Sequence, residues 1–227
     1  MDDCVDVAIL TKSAKNGGYC VAGIDMDTRQ WIRLVSSDAN SCGALFSQDL
    51  QYKDGTYCEP FDIARIPILG KHPHVYQPEN VLINEETYWE KIGVISVPDL
   101  IRLHPPEKHN NLLGNIYPYI TAERIGDVGI SLILVKVSNL IITHPTDRST
   151  KAEFSYGFAR YENMSVTDPE FYHIPSGTKI SQALLVMSLP DSPYNERKYY
   201  KFIAKIIKIK SVSKGCPIKL MDIPLLK

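Results

Sequence analysis

The chain has 227 residues, of which 44% are hydrophobic and 22% charged, and this balance excludes an intrinsically disordered protein. No apolar run reaches the ~20 residues that a membrane-spanning helix needs. The amino terminus, MDDCVDVAIL, carries acidic residues where a secretory signal needs basic ones. We therefore expect a cytoplasmic protein with no membrane contact, built as one large all-β domain or as two small ones.

The net charge of −1 hides an asymmetry between the two halves. Residues 1–130 contain 11 Lys and Arg against 18 Asp and Glu, a net charge of −7, whereas residues 131–227 contain 14 against 8, a net charge of +6. This division indicates two modules, the second of which suits a polyanionic partner. The other interpretation, that the halves attract each other across an interface, is equally consistent with the sequence.

Sequence signatures of catalysis and of cofactor binding are scarce. The five cysteines are widely spaced and form no CxxC pair, so we expect reduced thiols and no zinc site. The sequence has no P-loop, GxGxxG, HExxH or GxSxG motif, and we expect no metal or cofactor. A catalytic module for nucleotides, with Glu79, Asp168 and a histidine as acid and base, stays as a third interpretation.

Three strands open the chain. The segments VDVAILTKS, GYCVAGID and QWIRLVS are rich in branched residues and separated by polar turns, so they predict a β-meander. FDIARIPIL, from Phe61 to Leu69, alternates as a fourth strand whose Pro67 indicates an edge or the end of pairing.

The helical signals lie between residues 84 and 104. NEETYWEKIG predicts a helix that begins at Asn84, a candidate N-cap, and ends at Gly93. SVPDLIRLH predicts a second helix that begins at Ser96 and has Pro98 in its first turn. The breaker-rich loop PPEKHNNLLGN then indicates a module boundary.

The second half returns to β patterns, in GISLILVKVSNLIITHP, KAEFSYGFARYENMSVTDP and SQALLVMSLPDSPYN. RKYYKFIAKIIKIKSV fits a helix by its apolar stripe, but its aromatic and β-branched content favours a strand. We therefore predict a mainly β protein of two tandem OB-like small barrels with one or two short helices. The first barrel is expected in residues 1–115, with a helical insertion near 84–104, and the second in residues 116–227. A single β-sandwich is the alternative.

Two features of the first barrel suit nucleic acid. TKSAKNGG predicts a flexible loop in which Lys12, Ser13 and Lys15 accompany free backbone amides, a combination that can bind phosphate. Trp31 and Arg33 lie two residues apart and therefore on one face of a strand, where they offer a stacking ring and a guanidinium. The alternatives are an ordinary hairpin loop and a packed core.

The second half repeats the combination of aromatic and basic residues. Tyr161 follows Arg160, and we expect Trp31 and Tyr161 to stack on bases. Seven basic residues lie between Arg197 and Lys214, and those expected to contact phosphate include Lys198, Lys201 and Lys205.

Several segments together resemble the dual OB-containing domain family of prokaryotes. They are VAILTKSAKNGGYCVAGIDMDTRQWIRLVS, YQPEN, YENMSVTDP and SLPDSPYNERKYYKFIAKII. The resemblance implies two tandem OB-like barrels, a nucleic-acid-binding role and a setting in anti-phage or genome-conflict systems. The sequence departs from the family pattern at Leu34, because the family is expected to have a proline after the arginine that corresponds to Arg33. The functional positions that it carries over are Lys12, Ser13, Lys15, Trp31, Arg33, Gln77, Glu79, Asn80, Thr167 and Asp168.

The leading hypothesis is thus a non-catalytic module that binds single-stranded or modified DNA or RNA within a prokaryotic defence system. The alternative is a protein-interaction subunit, or a sensor of a small ligand or nucleotide, in a larger complex. The acidity of the first half supports this alternative, because a nucleic-acid-binding face should not be so anionic.

Overall fold

A computed structural model of the chain describes residues 3–147, 149–194 and 197–209, and its regular structure is mainly β. Five strands of the first half follow the order β1-β2-β3-β5-β4, and β4 returns to pair with β1, which closes a barrel. The contact between β3 and β5 is parallel, and the other contacts in the ring are antiparallel. These strands are β1 (Cys4–Lys15), β2 (Gly18–Asp25), β3 (Trp31–Val35), β4 (Asp62–Lys71) and β5 (Asn80–Ile83).

The elements that follow connect this barrel to a second one. β6 (Glu90–Val94) pairs with β4, α1 (Val97–Leu103) comes next, and β7 (Tyr119–Thr121) precedes the second barrel. The later strands are β8 (Leu132–Thr146), β9 (Ser149–Tyr156), β10 (Ala159–Val166), β11 (Thr178–Ser188), β12 (Lys198–Tyr200) and β13 (Phe202–Lys208). Short 3-10 turns lie at Ala39–Ser41, Ser47–Leu50, Leu112–Gly114, Ile125–Asp127 and Pro169–Phe171.

The second barrel repeats the topology of the first. It closes in the order β10-β13-β11-β8-β9, with one parallel contact between β10 and β13. In each barrel the third strand therefore lies parallel to the fifth, which is the five-stranded Greek-key arrangement of an OB fold. The predicted fold class of two OB-like barrels is confirmed. The predicted limit near residue 115 falls between α1 and β7 and stays a prediction.

The long apolar runs of the sequence are strands that are buried on both faces. On β1, Val7 and Ile9 enter the core of the first barrel, while Ala8 and Leu10 face outward into a third cluster between the barrels. β8 and β11 divide their side chains in the same way between the second core and this third cluster. A strand with two buried faces has no polar alternation. The two barrels consequently pack against each other through an apolar interface.

The helix predicted from Asn84 to Gly93 is wrong. The segment is a turn, in which the side chain of Asn84 accepts from Glu86 N at 3.1 Å, and it leads into β6. Trp89, 1% exposed, lies in the core of the first barrel, and the residues after it pair with β4. Burial of the indole and pairing of the strand therefore override the local helix signals. The second predicted helix is confirmed as α1, and Ser96 accepts from Asp99 N at 3.2 Å as its N-cap.

The loop predicted around Lys12 and Lys15 is also wrong. β1 continues to Lys15, and the chain reverses at Asn16 and Gly17, with φ values of 48° and 80°. Two successive residues with positive φ form the tight hairpin turn that Asn-Gly favours. The lysine-rich segment is β12 and β13, as its composition indicates, and its last basic residues, Lys210 and Lys214, lie outside the described residues. No helix in the described part of the chain has the length and apolar character to span a bilayer.

Candidate functional site

Trp31 and Arg33 lie on one face of β3, as their spacing predicts, but this face packs against the second half of the chain. Trp31 Nε1 donates to Glu107 Oε1 at 3.1 Å, and its ring packs edge-on against His104. Arg33 is 2% exposed, and its Nη2 donates to Ser131 Oγ at 2.7 Å. This burial argues against the expectation that Arg33 contacts phosphate, because the second barrel encloses the guanidinium.

The remaining partners of Arg33 complete a buried polar network. Nε is paired with Glu79 Oε1 at 3.1 Å, Nη1 donates to Cys20 Sγ at 2.8 Å, and Ser188 Oγ lies 3.4 Å from both terminal nitrogens. Burial alone would lower the pKa of Arg33, but Cys20 and Glu79 outweigh it and raise the pKa, so the guanidinium keeps its charge. Ser131 also donates to Glu79.

Gln77 and Asn80 extend this network. Gln77 Nε2 donates to Leu189 O in the second half at 2.9 Å, and Asn80 Nδ2 donates to Gln77 Oε1 at 3.2 Å. Asn80 Oδ1 is buried without a partner among the described atoms. Both side chains are buried, so neither is a surface ligand. We call the set the inter-barrel network; its members are Cys20, Arg33, Gln77, Glu79, Asn80, Ser131 and Ser188.

The three residues expected in a phosphate-binding loop are engaged within the protein. Lys12 Nζ is paired with Glu59 Oε1 at 2.8 Å, and Ser13, 4% exposed, donates to Cys20 O at 3.4 Å. Lys15 Nζ lies 3.6 Å from Asp191 Oδ2 of the second half. The geometry therefore gives them contacts within and between the barrels.

Tyr161 does not reach the surface. It is fully buried, its ring stacks on Phe154 at 5.4 Å inside the second barrel, and its Oη accepts from Leu112 N at 3.0 Å. This burial argues against the expectation that Tyr161 stacks on a base, because the period-two alternation of β10 directs the side chain into the core.

Thr167 and Asp168 directly follow β10, and both form hydrogen bonds with β13. Thr167 O accepts from Ala14 N of the first barrel at 2.9 Å. Asp168, 1% exposed, accepts from Ile206 N at 3.0 Å, and burial raises its pKa. Lys205, 3% exposed, is paired with Glu170 at 2.5 Å and with Asp168 at 3.5 Å. Asp168 and Lys205 are therefore structural in this arrangement, and Lys205 is not available to phosphate.

Strands two and three of an OB barrel, with the loops beside them, commonly form its ligand-binding face. In the first barrel these strands are β2 and β3, and Ala22, Ile24 and Trp31 contact the inter-barrel cluster. In the second barrel they are β9 and β10, where Arg160 is paired with Glu153 at 2.7 Å and with Glu162 at 3.1 Å. On the described residues of these two faces, Arg33 and Arg160 are already paired with carboxylates.

A different surface combines exposed aromatic rings with a basic group. β7 and β12 form a two-stranded antiparallel sheet in which Tyr119 is directly opposite Tyr200, and their rings lie 5.9 Å apart. Tyr117, 61% exposed, is near-parallel to Tyr119, with ring centroids 6.4 Å apart and planes at 25°. Lys198 Nζ lies 4.9 Å from the centroid of the Tyr119 ring. The alternate residue Tyr199 is buried, as the strand period requires.

Tyr194 adds a fourth ring at the end of this sheet. It is 76% exposed, its centroid lies 6.3 Å from that of Tyr200, and its backbone N donates to Lys198 O at 3.0 Å. β12 belongs to the connection between the fourth and fifth strands of the second barrel, one of the loops with which OB folds bind ligands. We call this set the tyrosine surface; its members are Tyr117, Tyr119, Tyr194, Lys198 and Tyr200.

Of the tyrosine surface, the sequence predicted only Lys198 as a binding residue. The signal is present in YPYIT and RKYY, where period two places one lysine and three tyrosines on a common face. Each strand has only three residues, and about 80 positions separate them, so the pairing itself leaves no local trace.

Glu107 organises the connection between the barrels. Its carboxylate accepts from Trp31, from Leu134 N at 3.2 Å and from His109 at 2.9 Å, and it also faces His104. Burial raises the pKa of Glu107, but these hydrogen bonds outweigh it and lower the pKa to about 2. Within the described residues no cluster of His, Cys, Asp and Glu could hold a metal ion.

Comparison with known protein families gives one match, to the dual OB-containing domain, and it covers residues 5–206. A search of curated proteins finds no match to the sequence. The matched range includes both barrels, the inter-barrel network and the tyrosine surface. The chain therefore belongs to the family of proteins with a dual OB-containing domain.

Proposed function

We propose that the chain is a non-catalytic module that binds single-stranded nucleic acid through the tyrosine surface. The observation that carries the proposal is the half-buried cross-strand pair of Tyr119 and Tyr200, with the exposed Tyr117 and with Lys198 on the same face. Single strands are bound by aromatic rings that stack on bases, each worth roughly 1–3 kcal/mol, together with basic groups that contact phosphate.

The location supports this proposal over the β3 face of the first barrel. Arg33 is enclosed between the barrels, whereas Tyr117 and Tyr194 are mostly exposed. A base must leave its helical stack before a ring can contact its face, so the surface suits single strands and not duplexes. Lys198 is the one basic member of the tyrosine surface, and the neighbouring Arg197 is already paired with Glu123 at 3.3 Å. We therefore expect binding dominated by stacking, with a weak dependence on salt.

The test is fluorescence anisotropy with labelled single-stranded DNA and RNA of about ten nucleotides, and with the matching duplexes. We expect the Tyr117→Ala, Tyr200→Ala double variant to lose at least tenfold in affinity, as the loss of two stacking contacts implies. Tyr88→Ala, at another exposed tyrosine, is the matched control and should bind as the parent does. The association constant should fall with salt concentration, and the magnitude of the slope of log K against log salt concentration should stay near 1. Each phosphate contact on a single strand adds about 0.7 to this magnitude.

Three results would contradict the proposal: no binding by the parent chain, equal affinity of the double variant and the control, or tighter binding of duplexes. A steep dependence of affinity on salt, together with unchanged affinity in the double tyrosine variant, would indicate a binding site at basic residues elsewhere in the second half.

The setting is part of the same proposal. The family resemblance supports a cytoplasmic role in a prokaryotic defence or genome-conflict system. Deletion of the gene from its host should then lower resistance to at least one phage, and complementation by the double tyrosine variant should fail. Restoration of resistance by that variant would contradict the link between nucleic-acid binding and defence.

A second candidate function, a sensor of a small anionic ligand such as a nucleotide, is favoured by one pocket. It has a volume of about 400 Å³ and lies between α1, β6 and the turn after β2. Its apolar wall includes Met26, Ile63 and Leu103. Arg29 and Arg102 also line it, and Arg102 is paired with Asp99. Binding pockets for small molecules have volumes in this range. Calorimetric titration with a nucleotide panel tests this candidate, and Arg29→Ala should weaken any binding that is found.

A further inference from the structure

Lys201 is a buried lysine directly after Tyr200, and its ammonium ends in the loop that precedes β7. Its side chain is fully buried, and Nζ donates to Leu112 O at 2.7 Å, to Asn115 O at 2.7 Å and to Asn115 Oδ1 at 2.8 Å. Three acceptors satisfy the three N–H groups of an ammonium. No carboxylate pairs with this lysine within the described residues, so all its contacts serve the loop.

Asn115 passes this restraint on to the tyrosine surface. Its Oδ1 accepts from Tyr117 N at 2.9 Å, and its Nδ2 donates to Tyr119 O at 3.1 Å. Lys201 N also donates to Pro118 O, between the two tyrosines, at 2.9 Å. The backbone of the Tyr117–Tyr119 pair is therefore fixed at three consecutive residues, and each bond leads back to Lys201.

The two rings that are held in this way are near-parallel. Their centroids are 6.4 Å apart and their planes differ by 25°. Because Tyr117 is mostly exposed, a base that has left its own stack can pack its flat face against this pair.

We propose that Lys201, through Asn115, is the positioning residue that fixes Tyr117 and Tyr119 in the near-parallel orientation that receives one unstacked base of a single strand, an arrangement that we call the base clamp. This inference rests on the proposed function and names the group that the tyrosine surface receives. The base clamp gains affinity because the loop is already ordered in the free protein, so binding does not carry the entropy cost of ordering it.

The chemistry of the position supports a positioning role. Burying a lysine without a counter-charge costs far more than burying an apolar residue of the same length. Burial also lowers the pKa of Lys201 to about 7, which reflects the same cost. A methionine would fill the space but could not hold the three oxygens that fix the loop.

The test compares Lys201→Met and Asn115→Ala with the parent chain. Asn115→Ala removes the side-chain bonds to Tyr117 and Tyr119 and one acceptor of Lys201, but it leaves the lysine bonded to Leu112 O and Asn115 O, so it covers the case in which Lys201→Met does not fold. We expect both variants to lose fivefold or more in affinity for a short single strand, the loss of about one stacking contact. Lys179→Met, at an exposed lysine, removes the same charge elsewhere and should bind as the parent does.

Hydrogen exchange gives a second readout that does not depend on a ligand. The Tyr117 amide, which donates to Asn115 Oδ1, should exchange faster in both variants, while the core amides of β8 and β11 keep their protection. Unchanged exchange at Tyr117, or parent-like affinity in both variants, overturns the inference and leaves the proposed function standing. If the parent chain binds no single strand, the proposed function and the base clamp both fail, and the exchange data alone then decide whether Lys201 orders the loop.

Discussion

Replacing Arg33 by Met tests whether the inter-barrel network stabilises the contact between the barrels. Met keeps an unbranched, flexible side chain but removes the guanidinium, so Glu79, whose side chain is 9% exposed, loses its cationic partner. Removing one member of a buried ion pair costs about 3–5 kcal/mol, because the other charge stays desolvated and unpaired. We expect the free energy of unfolding to fall by that amount.

Urea unfolding measures this loss, and Arg160→Met is the matched control. Arg160 also pairs with two carboxylates, of Glu153 and Glu162, but its side chain is 47% exposed. Solvent screens such a pair, and its removal should cost about 0–1 kcal/mol. The comparison therefore separates the effect of burial from the effect of losing an arginine.

A double-variant cycle completes the test. Arg33→Met with Glu79→Met replaces both charges by apolar groups, and the double variant should be more stable than Arg33→Met alone. A loss below about 1 kcal/mol in Arg33→Met, or simple additivity in the double variant, would refute the argument that the pair is buried and coupled.

Three further results are expected. The pKa of Lys201 is about 7 in the folded chain, below its ordinary value of 10.5. Between these two pH values the unfolded chain binds more protons than the folded one, so the free energy of unfolding should rise from pH 7 to 10.5. Urea titrations at each pH measure this rise, and Lys201→Met should flatten it. The pKa of Glu107 is about 2, below its ordinary value of 4.5, so the stability that it contributes above pH 4.5 should be lost as the pH falls toward 2. Glu107→Gln should remove that part of the loss of stability in acid. An unchanged dependence of stability on pH in this variant would contradict the hydrogen bonds assigned to Glu107. Gly23→Ala should cost more than about 3 kcal/mol, because its Cβ would lie 2.1 Å from Ala8 O, whereas Gly126→Ala, with open space around it, should be neutral in thermal unfolding.

Local chemistry explains why several elements were predictable. Asn16-Gly17 reverses the chain in a tight hairpin turn, because both residues readily adopt the positive φ that the turn requires. Ser96 and Pro98 begin α1 because a hydroxyl cap and a fixed φ act within one turn. The family could be recognised for a related reason, since its motifs are short runs that stay together in sequence.

The predicted binding site was less accurate, and the reason is visible at Trp31 and Arg33. Their spacing correctly placed both on one face of β3, but it could not say what covers that face. Ser131 and Ser188, which enclose Arg33, lie 98 and 155 positions further along the chain. A buried network and an exposed binding surface use the same residue types, and only the packing of the barrels distinguishes them.

By itself, the sequence determined most of the long strands, the mainly β fold of two OB-like barrels and the family of this protein, because hydrophobic period, turn residues and caps act over a few positions. The tertiary structure decided which faces remain exposed. It packed together the faces of β1, β8 and β11 that point away from the barrel cores, and it enclosed Arg33 at this interface. It also brought β7 next to β12 to form the tyrosine surface. Burial depends on contacts between distant segments, and the pattern of a single strand does not contain them.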